Sequence, residues 1–346
     1  MTFKEAKKNF KIFTFGCRAN QYESQAIKDQ FRYLGWRESE EAIDIAIINA
    51  CAVTEKAMKS SIAQLKKIRR LHHQAKLVMM GCIPDQTLEK LKKQFDDILF
   101  LKNEQKAEVM EILFPEKSEY PRFEIQDFDG HTRAFVKVQD GCNRFCSYCI
   151  IPFLRGRSIS RSKKDILHEV EGLSKKGFKE IVLTGINLGD YHTDEDDLTS
   201  LIQAVCGIEG IERIRLSSID PEDITEGLLD VYLQNEKCMP SFHISMQSGS
   251  DRILKEMRRN YTTKVFLEKR EKILKKNPHF TFTTDIIVGF PGETEEDFME
   301  TMRFVEKAQF LKVHLFPYSD RPHTLASKRD DKVDPCIIKE RKLRLK

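Results

Sequence analysis

Up to about residue 113 the chain alternates short apolar runs with polar stretches of helical period. The runs Phe10–Phe15, Ile43–Ile48, Leu77–Met80 and Ile98–Leu101 read as strands. The stretches Gln21–Leu34, Glu55–Leu71, Gln86–Lys93 and Gln105–Leu113 read as the helices between them. Nearly continuous apolar strands separated by helices predict a parallel, doubly wound sheet. The pattern breaks at "PEKSEYPRFEIQDFDG" (115–130), which has two prolines, a glycine and many charges, and predicts a linker with at most a short strand. From Ala134 the rhythm resumes. Phe135–Val138, Ile181–Thr184, Ile211–Leu216, Phe242–Met246, Phe282–Val288 and Lys312–Phe316 read as strands, with helices such as Ser162–Lys176 and Glu295–Lys307 between them. Six such units predict a partial barrel, not a closed eight-unit one. The stretch Ile337–Lys346 is basic and helical in pattern but ends without a capping signal, which fits a frayed tail or a cut before further sequence.

Length and composition add bounds. The chain has 346 residues, 40% of them apolar and 32% charged, enough for two or three globular domains with a sizeable core. No apolar run is long enough to span a membrane, and the charged N-terminus does not resemble a secretory signal, so a cytoplasmic location is expected. Fifty-eight Lys+Arg against 54 Asp+Glu leave a net charge of +4, which permits a polyanionic partner without demanding one. Nine cysteines in a long chain without an export signal point to reduced thiols that bind metal or do chemistry.

Two groups of cysteines stand out. Cys142, Cys146 and Cys149 form C-x3-C-x2-C in "GCNRFCSYCIIP", directly after a predicted strand. Three thiolates at these offsets can hold three corners of a cubane iron–sulfur cluster, leaving the fourth iron open to chelation by a small molecule. A zinc site would need a fourth ligand nearby, and neither His131 nor His168 lies at finger spacing. Cys17, Cys51 and Cys82 are dispersed, but each follows a predicted parallel strand, at the sheet edge where α/β folds bind ligands. They predict a second three-thiolate site. Cys206, Cys238 and Cys336 lack such company and read as packing residues.

The loop "GCNRFCSYCIIPFLRG" resembles the radical-SAM cluster loop. With "FGCRANQYES", "NACAVT" and the "GC" after the third strand, the chain resembles the methylthiotransferases over nearly its whole length. The segments "LTGINLGDY", "SMQSGSDRILKEMRRNYT" and "TTDIIVGFPGETEEDF" bring it nearest the subgroup that modifies threonylcarbamoyladenosine-37 in tRNA. The family most often has threonine where this chain has Ala50, and it normally continues into a small RNA-binding β-barrel that has no counterpart here. The resemblance implies an N-terminal Rossmann-like doubly wound parallel sheet (1–113) and a linker (114–132). These would precede a partial (β/α)6 radical-SAM barrel (133–335) and a basic C-terminal segment (336–346).

It also implies two [4Fe–4S] clusters, a radical-SAM cluster on Cys142, Cys146 and Cys149 and an auxiliary one on Cys17, Cys51 and Cys82. S-adenosylmethionine would serve as radical source and methyl donor, with Tyr148, Gly185, Asn187, Ser218, Gln247 and Asp285 as its expected neighbours. Arg155, Arg157 and Arg161, in "LRGRSISRSKK", are the expected RNA contacts. The basic side of Glu55–Leu71 is a weaker phosphate surface that reads equally as a solvated face. Expected partners are tRNA and a reducing electron donor, with no membrane. The implied reaction adds a methylthio group to C2 of the modified adenosine. Isopentenyladenosine in tRNA or a ribosomal-protein aspartate are the alternative substrates. A non-catalytic iron–sulfur carrier or RNA-binding protein is the alternative of another class, disfavoured because a carrier gains nothing from open irons.

Overall fold

The computed structural model describes residues 8–346 of the chain. The described residues divide into two compact units. The first runs to His131 and takes in Phe153–Arg155; the second comprises Thr132–Pro152 and Gly156–Lys346.

The first unit is a five-stranded parallel sheet of strands β1 (Asn9–Thr14), β2 (Arg37–Glu38), β3 (Ile45–Ala50), β4 (Lys76–Gly81) and β5 (Ile98–Leu101). Their spatial order is β2-β1-β3-β4-β5, so the chain starts near the middle and winds both ways. Helices α1 (Arg18–Tyr33), α2 (Glu55–Leu71), α3 (Asp85–Gln94) and α4 (Val109–Leu113) connect and follow the strands. All six residues of β3 are buried, as expected for a central strand covered on both faces. Phe10, Ile27, Phe31, Trp36, Ile47 and Val78 anchor the core. Helix α2 turns Met58, Leu65 and Ile68 inward, and its basic side faces outward. Part of that basic face is paired, Lys59 with Glu55 and Arg69 with Asp97.

The stretch read as a linker is an ordered strap on this unit. Phe114 joins the core, and Tyr120 and Phe123 pack against it. Asp29 of α1 accepts from the amides of Gln126 and Asp127, and Gln30 donates to the carbonyl of Pro121. Arg32 pairs with Asp129. The strap explains why α1 buries Gln25, Asp29 and Gln30: polar groups leave water only when partners replace it. The predicted helix Gln105–Leu113 begins as a 3-10 segment, Asn103–Glu108.

The second unit contains β6 (Arg133–Lys137), β7 (Gln139–Asp140), β8 (Ile159–Ser160), β9 (Glu180–Thr184), β10 (Arg213–Leu216), β11 (Ser241–Gln247), β12 (Thr281–Val288) and β13 (Lys312–Pro317). Its helices are α5 (Ile151–Arg155, whose last three residues group with the first unit), α6 (Lys163–Lys175), α7 (Leu198–Cys206), α8 (Glu226–Gln234), α9 (Asp251–Glu256), α10 (Thr263–Lys276), α11 (Glu295–Ala308) and α12 (Pro335–Arg344). Six parallel strands form two three-stranded sheets, β10-β9-β6 and β11-β12-β13. Bridges Ile214↔Cys238 and Ile219↔Ile244 join them into one open wall. Strands β7 and β8 form a separate two-residue ribbon that the apolar pattern does not announce. The C-terminal stretch is docked, not frayed. Arg341 is buried and bonds the carbonyl and carboxylate of Glu293, and Arg344 pairs with Glu295. Among the described residues no helix is long and apolar enough to cross a membrane.

Candidate metal centres and cofactor site

In the first unit Cys17, Cys51 and Cys82 follow β1, β3 and β4, and they meet at the carboxyl edge of the sheet. Neighbouring strands bring Cys51 and Cys82 together, with Cys82 N donating to Ala50 O at 3.2 Å. Gly16, at φ +96°, passes so close to Cys51 that a Cβ on it would sit 2.5 Å from Cys51 Sγ. Only glycine accommodates both the conformation and the approach. Burial, with the nearby thiols of Cys82 and Cys17 adding to it, pushes the Cys51 thiol up to about 11. Three converging thiols become strong ligands once a cation replaces their protons.

Asn20 organises this edge. Its Nδ2 donates to Phe15 O at 2.7 Å and Ala50 O at 2.9 Å, tying together the loops that carry Cys17 and Cys51. Its Oδ1 accepts from Arg155 at 2.6 Å and Lys106 at 3.3 Å. Both cations bond Glu23, whose side chain is 1% exposed. Ala50, where the family most often has threonine, contributes backbone only to these contacts. This network corrects one expectation. The Arg155 side chain is 0% exposed and clamps Glu23 bidentately, so it is structural and offers nothing to an RNA phosphate.

In the second unit the loop after β7 carries the other triad. Gly141 (φ +69°) and Phe145 (φ +49°) turn the backbone sharply, and Cys142 Sγ accepts from the amide of Arg144 at 3.4 Å. Burial and the neighbouring thiols push Cys142 up to about 11 and Cys149 up to about 12. Two residues that the sequence reading did not single out hold this loop. Gln139 donates to the carbonyls of Asp140 and Gly141, and its Oε1 accepts from the amides of Ile186 and Asn187, both at 2.9 Å. It thereby staples the cysteine loop to the loop after β9. Arg259, buried against Tyr261, donates to Cys146 Sγ at 3.1 Å and to Ser245 O, and pairs with Asp220. Its signal in the sequence was one charge within "EMRRNYT". Arg144 pairs with Glu222 and Asp223.

The expected S-adenosylmethionine neighbours are unevenly placed. Tyr148 packs on Ile253, Met257 and Phe290 beside the cysteine loop, and burial raises its hydroxyl well above the ordinary range. Gly185 abuts Gln139, where a Cβ would meet Oε1 at 2.9 Å. Asn187 is 8% exposed and its Nδ2 is buried without a hydrogen-bond partner. An orphaned donor at that position fits a ligand acceptor. Gln247 adopts φ +65° at a register shift between β11 and β12, an unusual backbone for a non-glycine residue. Ser218 is half-buried beyond β10. Asp285 is not at a strand end: it lies in the middle of β12, with its Oδ1 3.3 Å from His243 Nε2. Arg161 bonds Lys137 O and Glu169, and Arg157 is exposed and stacked on Phe145 at 4.5 Å.

Comparison with known proteins agrees with both halves of this description. Residues 136–305 match the radical SAM superfamily, and residues 9–101 match the uncharacterized protein family UPF0004. The threonylcarbamoyladenosine tRNA methylthiotransferase MtaB of Chlamydia pneumoniae is 46% identical, covering 99% of this chain and 82% of that protein. The protein of the same name from Aquifex aeolicus (strain VF5) is 39% identical over 95% of this chain and 84% of its own length. The tRNA-2-methylthio-N(6)-dimethylallyladenosine synthase of Ehrlichia canis (strain Jake) is 36% identical over 98% and 82%. Among solved structures, the radical S-adenosylmethionine methyltransferase TsrM from Kitasatospora setae shares the fold. Its TM-score is 0.67 at 12% identity, over 93% of this chain and 77% of that one. With its two thiol triads on two such units, this chain belongs to the radical-SAM methylthiotransferase family, an enzyme family that uses S-adenosylmethionine and [4Fe–4S] clusters.

Proposed function

We propose that this protein transfers a methylthio group to C2 of N6-threonylcarbamoyladenosine-37 in tRNA. The observation that carries the reading is the pair of three-thiol groups, one per unit. Cys142, Cys146 and Cys149 hold the radical-SAM cluster, and Cys17, Cys51 and Cys82 hold the auxiliary one. When bound, these clusters and S-adenosylmethionine supply one-electron chemistry for a 5′-deoxyadenosyl radical, together with the sulfur and methyl that are transferred.

The chain's own residues bind and orient. Asn187 gives its free Nδ2 to S-adenosylmethionine, Tyr148 lies along that ligand, and Gln139 fixes the loop that carries Asn187. Arg259 donates to the sulfur of Cys146 and holds it in place. Asn20, Glu23, Lys106 and Arg155 lock the edge that presents Cys17, Cys51 and Cys82. The threonylcarbamoyl substrate follows the two relatives at 46% and 39% identity, against 36% for the dimethylallyladenosine relative. A tRNA substrate and an external electron donor are in keeping with work in the cytoplasm.

The test is mass spectrometry of tRNA nucleosides from a strain that lacks its own 2-methylthio activity and expresses this chain. Appearance of 2-methylthio-N6-threonylcarbamoyladenosine is the expected result. Appearance of the isopentenyl product alone, or of no methylthio nucleoside, overturns the reading.

A further inference from the structure

The wall formed by β11, β12 and β13 has two unlike faces. On one face Phe242, Ile244 and Met246 of β11 and Phe282, Ile286 and Val288 of β12 are buried. On the other, His243, Ser245 and Gln247 alternate with them, as do Thr283 and Asp285, and all five are half-buried. A closed barrel fills its interior with branched apolar side chains. Here the second face, Ile287 apart, is polar and reachable by solvent, which suits a polar ligand.

Three of its groups converge. His243 Nδ1 lies 2.8 Å from Thr283 Oγ1, and His243 Nε2 lies 3.3 Å from Asp285 Oδ1. Asp285 is the register partner of His314 on β13. The rings of His243 and His314 are 5.7 Å apart, and polar atoms of His243, Asp285 and His314 all lie within 4.8 Å of one another. Side-chain exposures of 21% for His243 and 29% for Asp285 leave room for a guest.

We propose that His243, Asp285 and His314 form the pocket for the amino-acid arm of the substrate adenosine. His314 donates to the arm's carboxylate, and Asp285 accepts from its hydroxyl or ureido N–H. His243, held by Thr283, positions Asp285. The inference rests on the substrate proposed above. That arm carries a carboxylate, a hydroxyl and an N–H, whereas a dimethylallyl arm has none of these and would leave the polar groups unpaired. Depth also fits. Asp285 precedes the end of β12 by three residues, about 10 Å at ~3.3 Å each. Ligands of such barrels react at the carboxyl ends of the strands, so a base reacting there would send its N6 arm inward toward the triad.

The test crosses protein and substrate variants. Anticodon stem-loop RNA bearing N6-threonylcarbamoyladenosine, or its methyl ester, is given to reconstituted wild-type and His314→Gln enzyme, with iron content measured for both. His314→Asn serves as second variant if His314→Gln loses iron. The wild type should favour the acid by at least about tenfold in kcat/KM. The variant should lose about as much on the acid and not discriminate, so that the two penalties do not multiply. Penalties that multiply, an ester that reacts as well as the acid in the wild type, or one equivalent of a non-iron divalent metal lost in the variant each overturn the proposal alone. Conversion of a dimethylallyladenosine stem-loop in place of the threonylcarbamoyl one overturns the substrate reading and this inference with it.

Discussion

The guanidinium of Arg259 lies 3.1 Å from Cys146 Sγ and is charged at every working pH. Hydrogen bonds to ligand sulfur shift cluster potentials, and a cationic donor favours the more negative, reduced state. Arg259→Met should therefore move the midpoint of the second unit's cluster to a more negative potential, and Arg259→Lys should move it less, with iron content unchanged. An EPR-monitored redox titration reads this, and identical midpoints in all three proteins would reduce Arg259 to a packing residue. Asn187→Ala should weaken S-adenosylmethionine binding about tenfold, the worth of one hydrogen bond to a charged group, without loss of iron. Equilibrium dialysis checks it, and equal affinity would take Asn187 out of the site. The cysteines were legible because thiolate chemistry is written in local spacing and strand ends. Arg259 and Gln139 were not, because their partners lie 113 and about 47 residues away in the chain. Arg155 was misread for the related reason that an arginine in a polar stretch looks exposed until Glu23, 132 residues earlier, is found beside it.

Helix α11 shows how one start signal ties elements together. Thr294 caps the helix by accepting from Asp297 N at 3.2 Å, and Asp297 returns bonds to Thr294 N, Arg252 and Ser250. Burial works against the charge of Asp297, but Arg252, Thr294 and Ser250 outweigh it and hold the carboxyl well below the usual carboxylate range. A depressed folded pKa contributes stability above the unfolded value near 4 and loses it as the pH falls through the folded value. Asp297→Asn should then cost about 1–2 kcal/mol at pH 7, discounted for the half-exposed Arg252, and the cost should shrink on acidification below about pH 4. Urea unfolding at pH 7 and pH 3.5 measures it, and a difference constant across that range would contradict the assignment. The long strands and helices were readable because each buries a continuous face. The two-residue strands β2, β7 and β8 carry no periodic signal. The strap at 115–130 read as a linker because prolines and charges dominate it. Its binding to α1 runs through backbone amides and buried side-chain polar groups that hydropathy does not register.

The chain as a whole divides its thiol groups between two units, one triad gathered at the carboxyl edge of the five-stranded parallel sheet and the other carried on the single loop after β7. That division was visible in the sequence, since the shift at residues 115–130 separates two βα rhythms that each carry a cysteine group. The polar inner wall around His243, Asp285 and His314 was not, because alternation on a half-exposed sheet looks the same whether the open face meets water or a ligand. The proposed cluster assignment predicts that iron partitions by unit. The most direct measurement is anaerobic iron and sulfide quantification of wild-type protein and of a Cys17→Ala, Cys51→Ala, Cys82→Ala variant, each also assayed for 5′-deoxyadenosine and methylthio-tRNA. Two cubane clusters require about eight irons in the wild type. The variant should keep about four, still forming 5′-deoxyadenosine but no methylthio product. About four irons in the fully loaded wild type, or methylthio product from the variant, would contradict the assignment.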